Sequence, residues 1–364
     1  MKHIIGRNPS AAAPQVKSVT VEEDGAGQRL DNYLTRHLKG VPKTHVYRII
    51  RSGEVRVNKG RADAQTRLEL GDIVRLPPVR VSERAADKAQ AMAVGAVNSG
   101  AGRAIDGSGS GGFAPPKDFP VLFEDEHFMA INKPAGVAVH GGSGVSFGVI
   151  EQLRMARPQA KFLELVHRLD RETSGILLIA KKRSALNILQ NQFRERETGK
   201  IYLALALGRW PANKKVLDKS LHKYLLPGKH GEEGERRVKV VAKDDPDGMP
   251  SLSLVKVREA TADYSLLEVT IKTGRTHQIR VHLASEGMPI VGDDKYGDFE
   301  TNKALLRAEG PAALKRMFLH AWRFQCKHPS TGKRVEIQAD LPPELMQFLL
   351  YAMPEHPIAP VHAE

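Results

Sequence analysis

Residues 162 to 180 read Phe162-Leu163-Glu164-Leu165-Val166-His167-Arg168-Leu169-Asp170-Arg171-Glu172-Thr173-Ser174-Gly175-Ile176-Leu177-Leu178-Ile179-Ala180. Phe162 to Val166 and Gly175 to Ala180 are short apolar runs of β-forming character, while the segment between them is mostly charged or small. The pattern predicts a polar loop that interrupts a buried sheet. Asp170 stands between Arg168 and Arg171, and opposite charges that close favour the carboxylate form. An ionised carboxylate on a loop held by two strands, with cations beside it to hold phosphates, suits covalent or acid-base chemistry on a nucleic acid. On the residues alone, Asp170 reads rather as a loop carboxylate neutralised by its arginines.

The rest of the chain fits a polyanionic partner. Its 364 residues are enough for two domains, 41% are hydrophobic, and the formal net charge is +13. A single cysteine, Cys326, excludes an internal disulfide and a cysteine-rich zinc site, which points to a reducing compartment. With no run of about 18 apolar residues and no signal-peptide pattern behind Met1-Lys2-His3-Ile4-Ile5, the expectation is a cytoplasmic protein without a membrane span. Nothing resembles a coiled coil, so a monomer is expected.

Residues 1–17 read as a disordered arm, with order beginning near Val19. Leu30, Tyr33, Leu34 and Leu38 have the spacing of an amphipathic helix, and Val46, Tyr47, Ile49 and Ile50 predict a second one that starts near Pro42 and ends at Ser52-Gly53. Val55 to Gly60 and Ile73 to Leu76 follow as strands. Lys43, Arg48, Arg51, Arg56, Lys59 and Arg61 gather around the second helix and the next strand, a clustering of one sign that suits phosphate binding. Residues 18–81 are therefore a small basic α/β domain. Residues 82–116, rich in Ala, Gly, Ser and Pro, read as a flexible linker. From 117 to 353 short β-type runs such as Phe128 to Ile131, Tyr202 to Leu207 and Leu266 to Ile271 mix with helical stretches at Ser184 to Phe193 and Leu341 to Met353. The mixture predicts an α+β domain whose mixed, largely antiparallel sheet is flanked by helices, with residues 354–364 as a tail.

His167 to Gly175 closely resembles the central motif of the pseudouridine synthases that act on bases in ribosomal and transfer RNA. Leu122-Phe123-Glu124-Asp125-Glu126, Asn132-Lys133-Pro134-Ala135-Gly136, Lys200-Ile201-Tyr202-Leu203-Ala204-Leu205 and Gly274-Arg275-Thr276-His277-Gln278-Ile279-Arg280-Val281-His282 resemble further motifs of that family, in the family's order. Leu38 to Lys43, Pro77 to Val81 and His140 to Glu151 resemble the branch that modifies large-subunit ribosomal RNA. Residues 18–81 resemble the small RNA-binding domain named after the fourth protein of the small ribosomal subunit.

The resemblance implies an enzyme, with no metal and no organic cofactor, that breaks the bond between ribose C1′ and uracil N1, turns the base and rejoins it through C5. Asp170 matches the catalytic aspartate, and attack on C1′, attack on uracil C6 and proton abstraction from the ribose all suit a carboxylate there. Tyr202 matches the active-site tyrosine whose ring packs on the target base, though its strand pattern alone reads as core. Arg280 matches the basic residue that pairs with the aspartate, a role two guanidinium hydrogen bonds could fill, and it reads otherwise as a phosphate contact. Arg168 matches the residue that fills the space left by the flipped uridine, its alternative being an ion pair with Asp170. Arg171, His167, Arg275 and His277 in the catalytic domain, with Lys43, Arg48, Arg51 and Arg56 in the N-terminal one, complete the expected RNA contacts. His167, His277 and His282 lack a carboxylate or cysteine at ligand spacing, so they read as structural or RNA-contacting rather than metal-binding. Departures from the family pattern are Glu172 where aspartate is commonest, Ala206 where valine is usual, and a long linker. No carboxylate cluster for paired metals and no glycine-rich nucleotide fingerprint is present, which argues against a phosphodiesterase or a methyltransferase. A non-catalytic ribosome-assembly factor is the alternative from a different class.

Overall fold

A computed structural model describes residues 16–22, 25–38, 41, 43–78, 117–141, 147–226 and 235–354. The expected linker, most of the expected arm, residues 142–146 of the His140 to Glu151 stretch and all but the first residue of the expected tail lie outside the described residues, as does the side chain of Lys43. The chain divides into two units, Met1–Ser110 and Gly111–Glu364.

In the first unit, β1 (Lys17–Thr20), α1 (Leu30–His37), α2 (Lys43–Arg51), β2 (Arg56–Val57) and β3 (Ile73–Leu76) follow one another, and the strands form an antiparallel sheet in the order β1-β3-β2. Strand β1 opens at Lys17, opposite Leu76, two residues ahead of the expected start of order. Leu30, Tyr33 and Leu34 of α1 and Val46, Ile49 and Ile50 of α2 pack into one core, as their helical spacing predicts. Tyr47 differs. Its ring is exposed, and its hydroxyl donates to Asp31 Oδ2 at 2.9 Å, an acid also gripped by Arg29 at 2.6 Å. Arg48 and Arg51 are exposed and Arg56 is half-buried, and among the described residues no carboxylate pairs with any of the three.

The second unit opens with β4 (Val121–Glu124), β5 (Phe128–Lys133), α3 (Val149–Ala156), β6 (Glu164–Leu165), β7 (Ser174–Ala180), α4 (Arg183–Arg194) and β8 (Gly199–Leu207). It continues through β9 (Val216–Leu226), β10 (Glu235–Val241), β11 (Met249–Ala260), β12 (Tyr264–Ile271), α5 (Gln278–Ala284), α6 (Phe299–Arg307), β13 (Leu319–Lys327), β14 (Arg334–Gln338) and α7 (Pro343–Ala352). The sheet runs β10-β9-β11-β12-β8-β13-β7-β5-β4, with β14 on β13 and β6 on β7. Among the described residues only β7 and β13 pair in parallel, so the sheet is mixed and largely antiparallel, and the α+β class stands. Among the described residues no helix is long and apolar enough to cross a membrane.

Every residue of β7 is buried, which explains its unbroken apolar run. Ile176, Leu178 and Ala180 enter one core with Phe128 and Ala130 of β5, while Leu177 and Ile179 enter another with Met129 and Ile131. A strand covered on both faces loses the polar half of its alternation. Gly175 lets β7 meet β13: its φ is +106°, and a Cβ there would lie 2.2 Å from the Ala321 carbonyl oxygen. The loop that carries Asp170 therefore enters the middle of the sheet. A third core around Leu205, Leu267, Phe318 and Trp322 is closed by Leu345, Phe348 and Leu349 of α7.

Candidate active site

Three segments meet in one cleft: the 167–173 loop ahead of β7, the face of β8 that carries Lys200 and Tyr202, and residues 274–280 leading into α5. The first is held by Lys133, the last residue of β5, which is wholly buried. Its Nζ donates to three backbone carbonyls, those of Pro134 at 2.8 Å, Val137 at 2.8 Å and Arg171 at 3.0 Å. Three acceptors use all three ammonium protons. Burial pulls this ammonium down to about 7, with the Arg316 charge acting in the same direction and Glu172 and Asp170 opposing it. The same two loops are joined again by Gly136 N–H to the Arg171 carbonyl at 2.9 Å and by Arg171 Nε to the Gly136 carbonyl at 3.0 Å.

Arg171 is thus a clamp rather than a cleft residue. It also pairs with Glu172 at 3.3 Å and is not among the residues lining the cleft. Arg168 does line the cleft and is exposed, and among the described residues no carboxylate lies within ion-pair distance of it. The expectation that Arg168 and Arg171 flank the Asp170 carboxylate gives way to a different pair. Arg280 Nη1 stands 3.7 Å and His277 Nε2 3.8 Å from Asp170 Oδ2. Adjacent residues on an irregular loop point in different directions, so nearness in sequence did not become contact.

Arg280, only 3% exposed, does not give its two-bond grip to Asp170. It donates from Nε and Nη2 to the wholly buried Asp293, both at 2.7 Å, and from Nη2 to Asp294 at 2.8 Å. Nη1 is the corner left facing Asp170. Asp293 in turn accepts the backbone N–H groups of Lys295 at 2.8 Å and Tyr296 at 3.0 Å. Burial works against its charge, but the Arg280 hydrogen bonds and charge hold its carboxyl below the usual carboxylate range. Asp293 is a site residue that sequence reasoning missed, because its signal is only an acidic Asp293-Asp294 turn after Gly292.

His277 caps α5 with φ +52° and ψ +22°, a left-handed conformation that is costly for a residue with a Cβ. The segment is over-determined by Gln278, whose four side-chain bonds reach Thr273 Oγ1, Arg275 N, Leu252 O and Ser253 Oγ at 2.7 to 3.1 Å. His277 Nδ1 lies 2.8 Å from the Tyr296 hydroxyl, which already accepts the Val238 N–H at 2.9 Å. The phenol proton is then available to Nδ1, which assigns the imidazole proton to Nε2, toward Asp170. Burial favours the neutral ring, against the pull of Asp170. His277 therefore does gain a carboxylate neighbour that its sequence spacing concealed.

Tyr202 lines the cleft while its ring also packs against two cores, so the catalytic and core readings apply to one side chain. Burial, with the Asp170 charge second, pushes its hydroxyl up. His167 is occupied by the fold: its Nε2 accepts the Leu178 N–H at 3.1 Å, its ring stacks 5.0 Å from Phe193, and burial pushes it down to about 4. His167 also lines the cleft, so its bonds to the fold stand beside its expected place among the RNA contacts. His282 is equally committed. Gln278 donates to Ser253, which donates to His282 Nδ1, while Nε2–H serves Ser251 at 2.7 Å and Ser251 donates to the Lys219 carbonyl at 2.6 Å. Arg275 keeps to the cleft wall, with Nε on the Pro250 carbonyl at 3.2 Å.

The family model described as RNA pseudouridylate synthase matches residues 127–285, and the S4 domain model matches residues 28–74. Over 334 residues the chain is 47% identical to the ribosomal large subunit pseudouridine synthase C of Pasteurella multocida (strain Pm70), a match covering 92% of this chain and 93% of that one. This chain belongs to the RNA pseudouridylate synthase family. The namesake protein of Escherichia coli (strain K12) is likewise 47% identical over 336 residues, covering 92% of this chain and 96% of its own. Human RNA Pseudouridylate Synthase Domain Containing 4 is a structural neighbour with a TM-score of 0.51 and 25% identity, covering 63% of this chain and 91% of that one. This RNA pseudouridine synthase thus joins an S4 domain of RNA-binding type to a catalytic domain. All three catalytic candidates, Asp170, Tyr202 and Arg280, line the same cleft.

Proposed function

We propose that this enzyme converts uridines of large-subunit ribosomal RNA to pseudouridine, with the Asp170 carboxylate acting as nucleophile or base on a uridine that has left its stack. The carrying observation is that Asp170 meets Arg280 Nη1, His277 Nε2 and the Tyr202 ring in one cleft. The large-subunit target is drawn from the names of the curated relatives, and it brings with it a cytoplasmic setting.

In this reading Arg280 and His277 orient the carboxylate and balance its charge as a bond to the uridine forms or a proton moves. The Tyr202 face retains the detached uracil while it turns, and the exposed guanidinium of Arg168 braces the space the base has vacated. Arg48, Arg51 and Arg56 of the S4 domain supply phosphate contacts that hold the RNA without reading its bases. No redox change or added group is needed.

Asp170→Asn should fold and bind RNA but lose product formation by at least about a hundredfold, since it removes the reacting group while keeping the shape. A chemical label specific for pseudouridine, applied to large-subunit RNA fragments, measures this. A loss smaller than about tenfold removes Asp170 from the role. Mapping pseudouridines in ribosomal RNA from a strain without the gene tests the substrate.

A further inference from the structure

Lys200 is a buried cation without a counter-ion in the cleft. It lies on β8 two residues before Tyr202, so both side chains project from the same face of the strand, about 7 Å apart along it. Only 7% of the residue is exposed, yet among the described residues no carboxylate is within ion-pair distance and no acceptor takes a hydrogen bond from Nζ. Its nearest support is the face of Phe193, 5.3 Å from Nζ to the ring centroid. The charges that act on it are of its own sign, Lys272 and Arg196, both exposed. Burial and these cations together disfavour its ammonium. Lys133, also deeply buried, satisfies all three of its protons on carbonyls. Lys200 has no such compensation, and a desolvated charge is retained without a partner where a ligand supplies one.

We propose that Lys200 binds a backbone phosphate of the target nucleotide, with Lys272 and Arg196 adding positive field at the solvent side of the same spot. A phosphate is favoured over a base oxygen because Lys200 is buried without a counter-ion and the charges acting on it, Lys272 and Arg196, are also positive, an excess of one sign that matches a full negative charge. This rests on the reading that the uridine occupies the cleft. The ammonium would set the height of the nucleotide along β8, leaving the base over Tyr202.

Lys200→Met in the full chain tests this, since it keeps length and apolar bulk and removes the charge. The expected result has three parts. The melting temperature stays level or rises, because an uncompensated cation has been removed from the interior. Affinity for ribosomal RNA fragments falls about ten- to a hundredfold, the loss of one charge-assisted contact, with the salt slope about one unit smaller. A neutral methylphosphonate at one phosphate beside the target uridine weakens the wild type by the same factor and leaves Lys200→Met unaffected. A melting temperature lowered by several degrees with normal activity in the folded fraction would make Lys200 a structural partner of Phe193 and overturn the proposal. A fall in saturated turnover with affinity unchanged would assign the cation to the base instead, and overturn it too. If the wild type forms no pseudouridine on these fragments, the functional reading itself fails; wild-type product with an unaltered Lys200→Met variant refutes only the phosphate assignment.

Discussion

Asp293→Asn asks whether a buried ion pair sets the guanidinium that faces Asp170. Asparagine keeps the shape and can still accept a backbone N–H from Lys295 or Tyr296, but the charge that takes two bonds from Arg280 is gone. Asp293 is 0% exposed and Arg280 3%, so water does not replace the lost partner. Removing one member of such a pair costs about 3–5 kcal/mol. Arg280 keeps a single bond to Asp294, whose side chain is 62% exposed, which argues for the lower end, about 3 kcal/mol. For a domain of this size each kcal/mol is worth about 2–4 °C, giving a fall of about 6–12 °C in melting temperature. Trp210 and Trp322, both buried in this unit, report the transition by fluorescence. Turnover should fall by about tenfold to a hundredfold, because a displacement of Arg280 Nη1 of about 1 Å is enough to misplace the carboxylate proposed to react. Asp293 is depressed in the folded state, so its contribution is complete above the unfolded carboxylate range and is lost as pH falls through the lower folded value. The gap between wild type and variant should therefore close on acidification. A melting temperature within about 2 °C of wild type with unchanged turnover would show that the pair does not hold Arg280.

Lys133→Met should reduce turnover more than stability, because it strips three carbonyls of their donor while removing a buried charge; equal turnover would refute the loop anchor. With the folded lysine near 7 and its ordinary value at 10.5, the unfolded chain binds more protons between those pH values, so wild-type stability should gain up to about 1.4 kcal/mol per pH unit there from this residue, a gain denaturant titrations should find absent in the variant. Tyr202→Phe keeps the ring that packs on two cores, so it should melt like the wild type and bind RNA yet form little product if the hydroxyl transfers a proton; full product formation assigns the residue to stacking and packing alone. Replacing Arg48, Arg51 and Arg56 together with alanine should lower the slope of log affinity against log salt by about two to three units, and an unchanged slope would remove the S4 face from phosphate binding.

The local elements were legible where one physical rule governed them. Helical spacing marked the buried faces of α1 and α2, and the apolar run from Ile176 to Ala180 marked a strand buried on both sides. The sequence does not mark strands β9 to β11 as clearly, since their buried positions include the serines Ser220, Ser251 and Ser253 while Val216, Leu225 and Met249 are exposed. β6, whose short β-prone run spans Phe162 to Val166, is two residues long and pairs Glu164 and Leu165 with Ala180 and Ile179 at the C-terminal end of β7. The S4 helices told the same story with one exception, Tyr47, which carries an apolar ring at a helical core spacing but spends its hydroxyl on Asp31.

The residue types of the site were visible in the chain, as a carboxylate between arginines, a strand tyrosine and a basic stretch from Arg275 to Arg280. Which of them touch was decided elsewhere. The parallel contact of β7 with β13, possible because Gly175 has no Cβ, sets the height of the Asp170 loop. The left-handed turn at His277 then aims one imidazole nitrogen at the carboxylate. Asp293, thirteen residues after Arg280, takes the guanidinium's paired bonds and leaves one corner for Asp170. Patterning of apolar residues is a short-range property that burial writes directly into sequence, whereas the partner of a charge depends on directions that only the folded backbone determines.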